Sequence, residues 1–345
     1  MSIWKLLLRL SIGAALVYLL LSKLELSFDA VRVHLTELPI ALLLAALTLD
    51  QLGQMLCAYR WAELSTLGGR PAKFKDTFPV YFTGMFFNMC LPTSIGGDVW
   101  RVVGLGRKTG SKSGAVASVF MDRNVGLAAL LVIGLIASVA APHICTVEAT
   151  VFKQLYVVPI WPIFVALIIG YIGANVALFS DSFCKIVMFV TERMRLRFIG
   201  VRIEKLHNSV QVYRQPLPNY FSSFVISILY QFSEIALVVI LAYGMNVNVS
   251  PLVIAAIVTF QAVAGLLPIT SNGIGVREAI FCAVLKGQLG DNIKDEAMAL
   301  SLAYFGVIIM SSLIGGVVYV LSGVKRPTAA EAESDVVANT VASGQ

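Results

Sequence analysis

Leu91-Pro-Thr-Ser-Ile-Gly-Gly-Asp-Val-Trp-Arg101 and Leu267-Pro-Ile-Thr-Ser-Asn-Gly-Ile-Gly-Val-Arg-Glu278 are two versions of one phrase. Each runs Leu-Pro, then Thr-Ser, then two glycines, then an arginine near a carboxylate. Both lie inside apolar sequence, within 77–100 and 251–289, and both carry Pro, Gly and polar groups at the centre. Such a centre breaks a membrane helix. Irregular backbone at membrane depth survives only where protein buries it or a wet cavity borders it. Each stretch is therefore expected to join two short helices, as a re-entrant hairpin facing a polar cavity.

The sequence on either side supplies the membrane spans. Of the 345 residues, 58% are hydrophobic and 13% charged, against roughly 45–50% and about 25% in soluble domains. This composition excludes a soluble fold and disfavours a large soluble catalytic domain. Six runs reach the roughly 20 apolar residues that cross a hydrocarbon core. They lie near 6–21, 38–59, 115–141, 155–179, 220–245 and 297–321. The first resembles a secretion signal but has no small-x-small cleavage site, so it reads as a retained span. The expected fold is an all-α polytopic membrane protein with six full transmembrane helices plus two re-entrant hairpins. Residues 1–325 form a single integral membrane domain, and 326–345, rich in Ala, Ser, Glu and Thr, are expected to be a disordered cytoplasmic tail.

Basic residues set the orientation, because short cytoplasmic loops collect Lys and Arg. Starting from a cytoplasmic N-terminus, 19 of the 26 fall inside and 4 outside. The inner group includes Arg60, Arg70, Lys73 and Lys75 before the first hairpin and Arg101, Arg107, Lys108 and Lys112 after it. This multi-pass chain is thus expected in a bacterial-type inner (plasma) membrane with both termini cytoplasmic. The stretch 185–214 mixes seven basic residues with apolar ones and reads as an amphipathic helix on the inner leaflet. Span, span, hairpin, span occurs in 1–141 and again in 155–323, and the three spans between equivalent points invert the second copy. Inverted repeats with broken helices are built for alternating access. Chance similarity of Gly/Pro-rich loops is the competing explanation.

Helices that begin after paired glycines aim free N–H groups inward, where they attract anions. Gly96 and Gly97 precede Asp98, and Gly273 and Gly275 precede Val276. Asn88, Thr93, Ser94, Thr270, Ser271 and Asn272 add amides and hydroxyls. Asp98 has a purely structural alternative, an N-cap bonded to Arg101. Arg277 and Glu278 are adjacent on a helix, so they are expected to have separate partners. Asp122 and Arg123 open the third span, where an Asp122–Arg101 ion pair is the structural alternative. Asp50 and Glu234 lie deep in the second and fifth spans, equivalent places in the two copies. A charge there costs roughly 2.5–3.5 kcal/mol unless shielded. They are candidates for coupling or for holding a cationic group. Trp4, Trp61 and Trp161 are expected in the interfacial belt.

No nucleotide loop, HExxH or Ser/His/Asp set is found, so the sequence offers no recognisable nucleotide-driven or hydrolytic machinery. Cys57, Cys90, Cys145, Cys184 and Cys282 are scattered and form neither a disulfide framework nor a zinc site. No cofactor, metal or nucleic acid is expected.

The combined motifs have a known parallel. Asn88-x-x-Leu-Pro-Thr-Ser-Ile-Gly-Gly-Asp98-x-x-Arg101, Phe120-Met-Asp122-Arg123-x-x-Gly126, the second hairpin through Arg277-Glu278, and Tyr59-Arg60-Trp61 resemble the lysylphosphatidylglycerol synthase transmembrane-region family. The resemblance covers essentially residues 1–325. It implies a flippase-like membrane region, which in two-part members accompanies a cytosolic domain that transfers lysine from charged tRNA to phosphatidylglycerol. That domain is expected to be absent here.

The function expected is translocation of a polar-headed phospholipid or glycolipid between leaflets. Arg101, Arg123 and Arg277 would hold phosphate, and Asp50, Asp98, Glu234 and Glu278 would hold a cationic headgroup or coupling protons. Partners are membrane lipids and a separately encoded lipid-modifying enzyme. Two alternatives stay open: a membrane-embedded enzyme or enzyme partner in aminoacyl-lipid or polyprenyl-linked glycolipid synthesis, and a small-solute secondary transporter.

Overall fold

A computed structural model describes residues 28–65, 72–90, 96–109, 112–143, 145–151, 154–193, 200, 204, 207–208, 210–211, 218–266, 273–290 and 293–322. The first predicted span, the tail, and the two phrase centres 91–95 and 267–272 lie outside these residues.

Eleven helices occur among the described residues: α1 (Phe28–Glu37), α2 (Ile40–Leu64), α3 (Phe74–Cys90), α4 (Gly96–Thr109), α5 (Lys112–Ala140), α6 (Trp161–Phe179), α7 (Asp181–Arg193), α8 (Pro218–Gly244), α9 (Pro251–Gly265), α10 (Val276–Leu289) and α11 (Lys294–Ser322). Five of them, α2, α5, α6, α8 and α11, are long and apolar enough to cross a membrane. They coincide with the second to sixth predicted spans. Proline opens several helices: Pro39 stands before α2, Pro162 sits in the first turn of α6 and Pro251 in that of α9. A fixed φ and a missing N–H cost nothing at that place.

Two span boundaries differ from those read in the sequence. Beside the helices, which make this an α fold, β1 (Thr146–Val151) and β2 (Gln154–Pro159) form one short antiparallel ribbon, with Thr146 opposite Pro159 and Val151 opposite Gln154. The ribbon packs on α10. The fourth span accordingly begins at Trp161 rather than near 155, because its first Val-rich segment pairs as a strand. The second span also runs further than expected, to Leu64, and takes Arg60 and Trp61 into its buried face.

Both interrupted regions are pairs of short helices, α3 with α4 and α9 with α10, packed arm against arm. Lys108, near the end of α4, donates to the Asp76 carbonyl at the start of α3 (2.9 Å), so the two ends of that pair meet. The pairs also pack crosswise. α3 lies on the last long helix, α11, while α9 lies on α5. Between them α2 and α8 form the most extensive helix contact among the described residues.

Lipid is as apolar as leucine, so association of these helices depends on close packing and polar contacts rather than on expulsion of water. The buried face of α2 shows how. Ala46, Asp50, Gly53, Cys57 and Trp61 recur at three- and four-residue intervals, small residues alternating with the polar group that the bundle encloses. On its outer face Leu44, Leu52 and Met55 are exposed to lipid. The main apolar core gathers α5, α8, α9, α10 and α11 around Leu237, Leu241, Ile254, Ile257, Phe281 and Leu285. A smaller one joins Trp61, Val80, Leu105, Ala115 and Val119.

Candidate functional site

A cavity of about 520 Å³ opens where α2, α3, α8, α9, α10 and α11 meet. Its depth follows from sequence position. Asp50 is near the middle of α2, Glu234 of α8 and Tyr304 of α11, and all three line the wall. The hairpins reach the same space through Asn88 of α3, Asp98 of α4, Gly273, and Arg277 of α10. Arg123 arrives from α5 with its side chain 49% exposed.

Behind this wall lies a buried ion-pair ladder. Asp122, 1% exposed, receives Arg60 Nε on Oδ1 (2.8 Å) and Arg101 Nη2 on Oδ2 (2.6 Å). Arg60 also donates to Ser227 Oγ of α8 (2.7 Å). Arg101 reaches Asp98 weakly (3.4 Å), while Arg123 grips both Asp98 oxygens (3.1 and 3.0 Å). The Arg101 guanidinium lies over the rings of Trp61 and Tyr81, 4.3 and 4.7 Å from their centres. Trp61 is fully buried and donates to Ser118 Oγ (3.3 Å), so it is not part of an interfacial belt. Nor are Arg60 and Arg101 loop charges. Each is buried against Asp122, and the excess of basic residues in the loops is smaller than the sequence count by these two.

The glycine turns occupy their N–H groups locally. Gly97 N–H donates to Asn88 Oδ1 (2.6 Å), and a side chain at Gly97 would overlap the Gly84 carbonyl and Asn88. Gly275, at φ 86°, donates to Glu278 Oε2 (2.6 Å). Glu278 therefore faces back along its own helix, and Arg277 curls onto it through Nε (3.1 Å) and Nη2 (2.5 Å). The sequence expectation that these neighbours would not pair is wrong. Side chains at adjacent positions diverge in mid-helix, but a capping glutamate in the first turn turns toward the N-terminus and within reach. Arg277 also lies 4.1 Å over the Phe305 ring.

Of the residues proposed from sequence, the cavity is lined by Asp50, Asn88, Asp98, Arg123, Glu234, Gly273 and Arg277. Gly96, Gly97, Arg101, Asp122, Gly275 and Glu278 stand outside that lining, as supports of the hairpins and the ladder. Thr93, Ser94, Thr270, Ser271 and Asn272 lie outside the described residues. Sequence reasoning missed Tyr230, Gln261, Tyr304, Ser311 and Ser312, all on the wall. One signal was available for Tyr230, which precedes Glu234 by one helical turn. Tyr304 donates to Glu234 Oε2 (2.8 Å), and Gln51 joins Asp50 to Ser311 (3.1 and 2.6 Å).

A family model of the lysylphosphatidylglycerol synthase transmembrane region matches residues 6–316. The chain belongs to that family. A search of curated proteins finds no match. Membership extends from the predicted first span into α11, so every wall of the cavity falls within the family region. It is a multi-pass membrane protein of the lysylphosphatidylglycerol synthase transmembrane-region type.

Proposed function

We propose that this protein moves a polar-headed phospholipid or glycolipid between the leaflets of an inner (plasma) membrane. The cavity carries this reading. It is polar at mid-span, it lies between elements of both hairpins, and its walls carry Arg123 and Arg277 as well as Asp50 and Glu234, which have no basic partner among the described residues. A volume of about 520 Å³ falls within the usual range for small-ligand sites, roughly 300–1,000 Å³. It suits a headgroup whose acyl chains stay in the bilayer. Arg123 and Arg277 would bind the phosphate, since a guanidinium gives planar two-point contact. Arg101 would act from behind by holding Asp98 and Asp122.

In this reading α3–α4 and α9–α10 are re-entrant hairpins of two inverted repeats, with both termini of the chain cytoplasmic. Three observations support it. The 17 residues of α3 extend only about 25 Å, short of a core about 30 Å thick. The ends of the first hairpin meet at Lys108 and Asp76. Crosswise packing of each hairpin on the last span of the other half is what an inverted pair requires. The lipid would come from a separately encoded lipid-modifying enzyme.

The test is flipping of fluorescent lipid analogues in proteoliposomes, read by quenching from outside. Wild type should exceed protein-free vesicles. Arg123→Ala and Arg277→Ala should each slow it about tenfold or more, the value of one charge-assisted contact. Wild-type protein no faster than empty vesicles would end the proposal.

A further inference from the structure

Among the described residues, Asp50 and Glu234 differ from the other buried carboxylates above in having no basic partner. Asp122 has two arginines, Asp98 has Arg123 and Arg101, and Glu278 has Arg277. Asp50 and Glu234 instead stand on α2 and α8, the two described helices in most extensive contact, and line the same cavity. Both residues are almost fully enclosed, at 2% and 5% exposure.

The groups facing the pair from each packed element are neutral. From α2, Gln51 and Gln54 donate to Asp50 (3.1 and 3.3 Å). From α11, Tyr304 donates to Glu234 and Ser311 accepts from Gln51 (2.6 Å) beside Asp50. From α8, Tyr230 reaches Gln54, and from α3, Tyr81 does the same. The charged groups that share the cavity, Arg123, Asp98 and Arg277, are engaged with one another or with Glu278. Glu234 Oε1, within this wall, receives no hydrogen bond from any described group.

Two like charges enclosed in one cavity wall repel, and each lacks the solvation that a lone carboxylate needs. Neutral donors relieve only part of that. One unit of positive charge at the free Glu234 oxygen relieves both at once.

We propose that the Asp50–Glu234 pair is the site of one small monovalent cation, a proton or a sodium ion, which the amine of a lipid headgroup displaces. The role rests on the translocation reading above, whereas the existence of the site does not. A pair that holds either the cation or the headgroup amine, and never both, makes each crossing of lipid an exchange. The cation then moves opposite to the lipid, and its gradient can drive transport without a nucleotide.

The experiment uses the purified full chain in nanodiscs at neutral pH. The infrared carboxylic-acid C=O band reports a bound proton, and ²²Na⁺ binding reports sodium. A band insensitive to sodium and lost in both Asp50→Asn and Glu234→Gln assigns the proton. Stoichiometric ²²Na⁺ binding lost in both variants assigns sodium. Wild type showing neither signal, or variants that keep the wild-type signal, overturns the site, and the wild-type measurement decides even if a variant fails to fold. Short-chain phosphatidylethanolamine should then remove the signal, and short-chain phosphatidylglycerol, which has no amine, should not. Equal behaviour of the two lipids overturns the exchange. Absence of lipid flipping with the cation signal intact would instead count against the translocation reading.

Discussion

Arg101 and Arg277 close the same phrase of sequence, and the protein uses them differently. Arg101 is walled in between Asp122, Asp98, Trp61 and Tyr81, away from the cavity. Arg277 lies on the cavity wall with one carboxylate, its own neighbour, and one ring beneath it. The difference arises on other helices. In the first half, Arg60 and Asp122 extend the arginine's contacts into a ladder across α2, α4 and α5. Among the described residues of the second half nothing comparable meets Arg277, and Glu278 is occupied in capping Gly275. One hairpin is thus anchored by charge and the other presents charge. The cation that the first half offers to the cavity is Arg123, held at the edge by Asp98.

The largest effect should come from breaking the anchor. Asp122→Ala strands Arg60 and Arg101 together in a buried site, and removing one partner of a buried pair costs about 3–5 kcal/mol. Glu278→Ala leaves Arg277 beside a cavity and one N–H uncapped, a loss of about 1–2 kcal/mol. Thermal unfolding in detergent should show Asp122→Ala as the clearly less stable of the two. Equal losses would mean that both hairpins are anchored alike.

A finer test exchanges guanidinium for ammonium. Lysine cannot bridge Asp122 and Asp98 while lying flat on Trp61, so Arg101→Lys should lower the unfolding temperature. At matched folded amounts its lipid movement should stay near wild type. Arg277→Lys should do the reverse, slowing movement with little change in stability. If both variants slow movement equally, Arg101 reaches substrate in another access state, and the contrast between the hairpins dissolves.

The five long helices from the second predicted span onward were legible because twenty or so apolar residues in a row have few uses outside a bilayer. The two interrupted regions were legible as pairs of short helices for the opposite reason, since Pro and Gly in apolar sequence break a long helix. The β ribbon was not legible. Its Val-rich strands run straight into the apolar residues of α6, and a short apolar run carries no period that separates strand from helix. Arg60 was misplaced because its burial depends on Asp122, 62 positions later. Composition placed it in a loop, whereas its partner places it inside. Asp50 and Glu234 were legible as deep charges, but Tyr304 and Ser311, which surround them, are ordinary residues of an apolar span until the fold brings α11 to α2 and α8.

The smallest expected effect concerns the rings beneath the arginines. Phe305 both lines the cavity and lies 4.1 Å under the Arg277 guanidinium. A cation–π contact at such a partly wet site is worth about 0.5–1 kcal/mol. Phe305→Leu keeps the apolar bulk and loses the ring, so Arg277 is less firmly aimed. The apparent affinity for lipid should weaken roughly two- to fivefold, the equivalent of that energy. Unfolding temperature should barely change, and Phe305→Tyr should restore affinity because it restores the ring. On the other side Tyr81→Leu removes a ring from Arg101 together with the hydroxyl that reaches Gln54 (3.4 Å). There the loss should register in stability, with affinity changed less than at Phe305. Lipid titrations and melting curves on the same preparations separate the outcomes. Should Phe305→Leu alter only stability, Arg277 would be a second anchor, and Arg123 alone would be left to meet the phosphate.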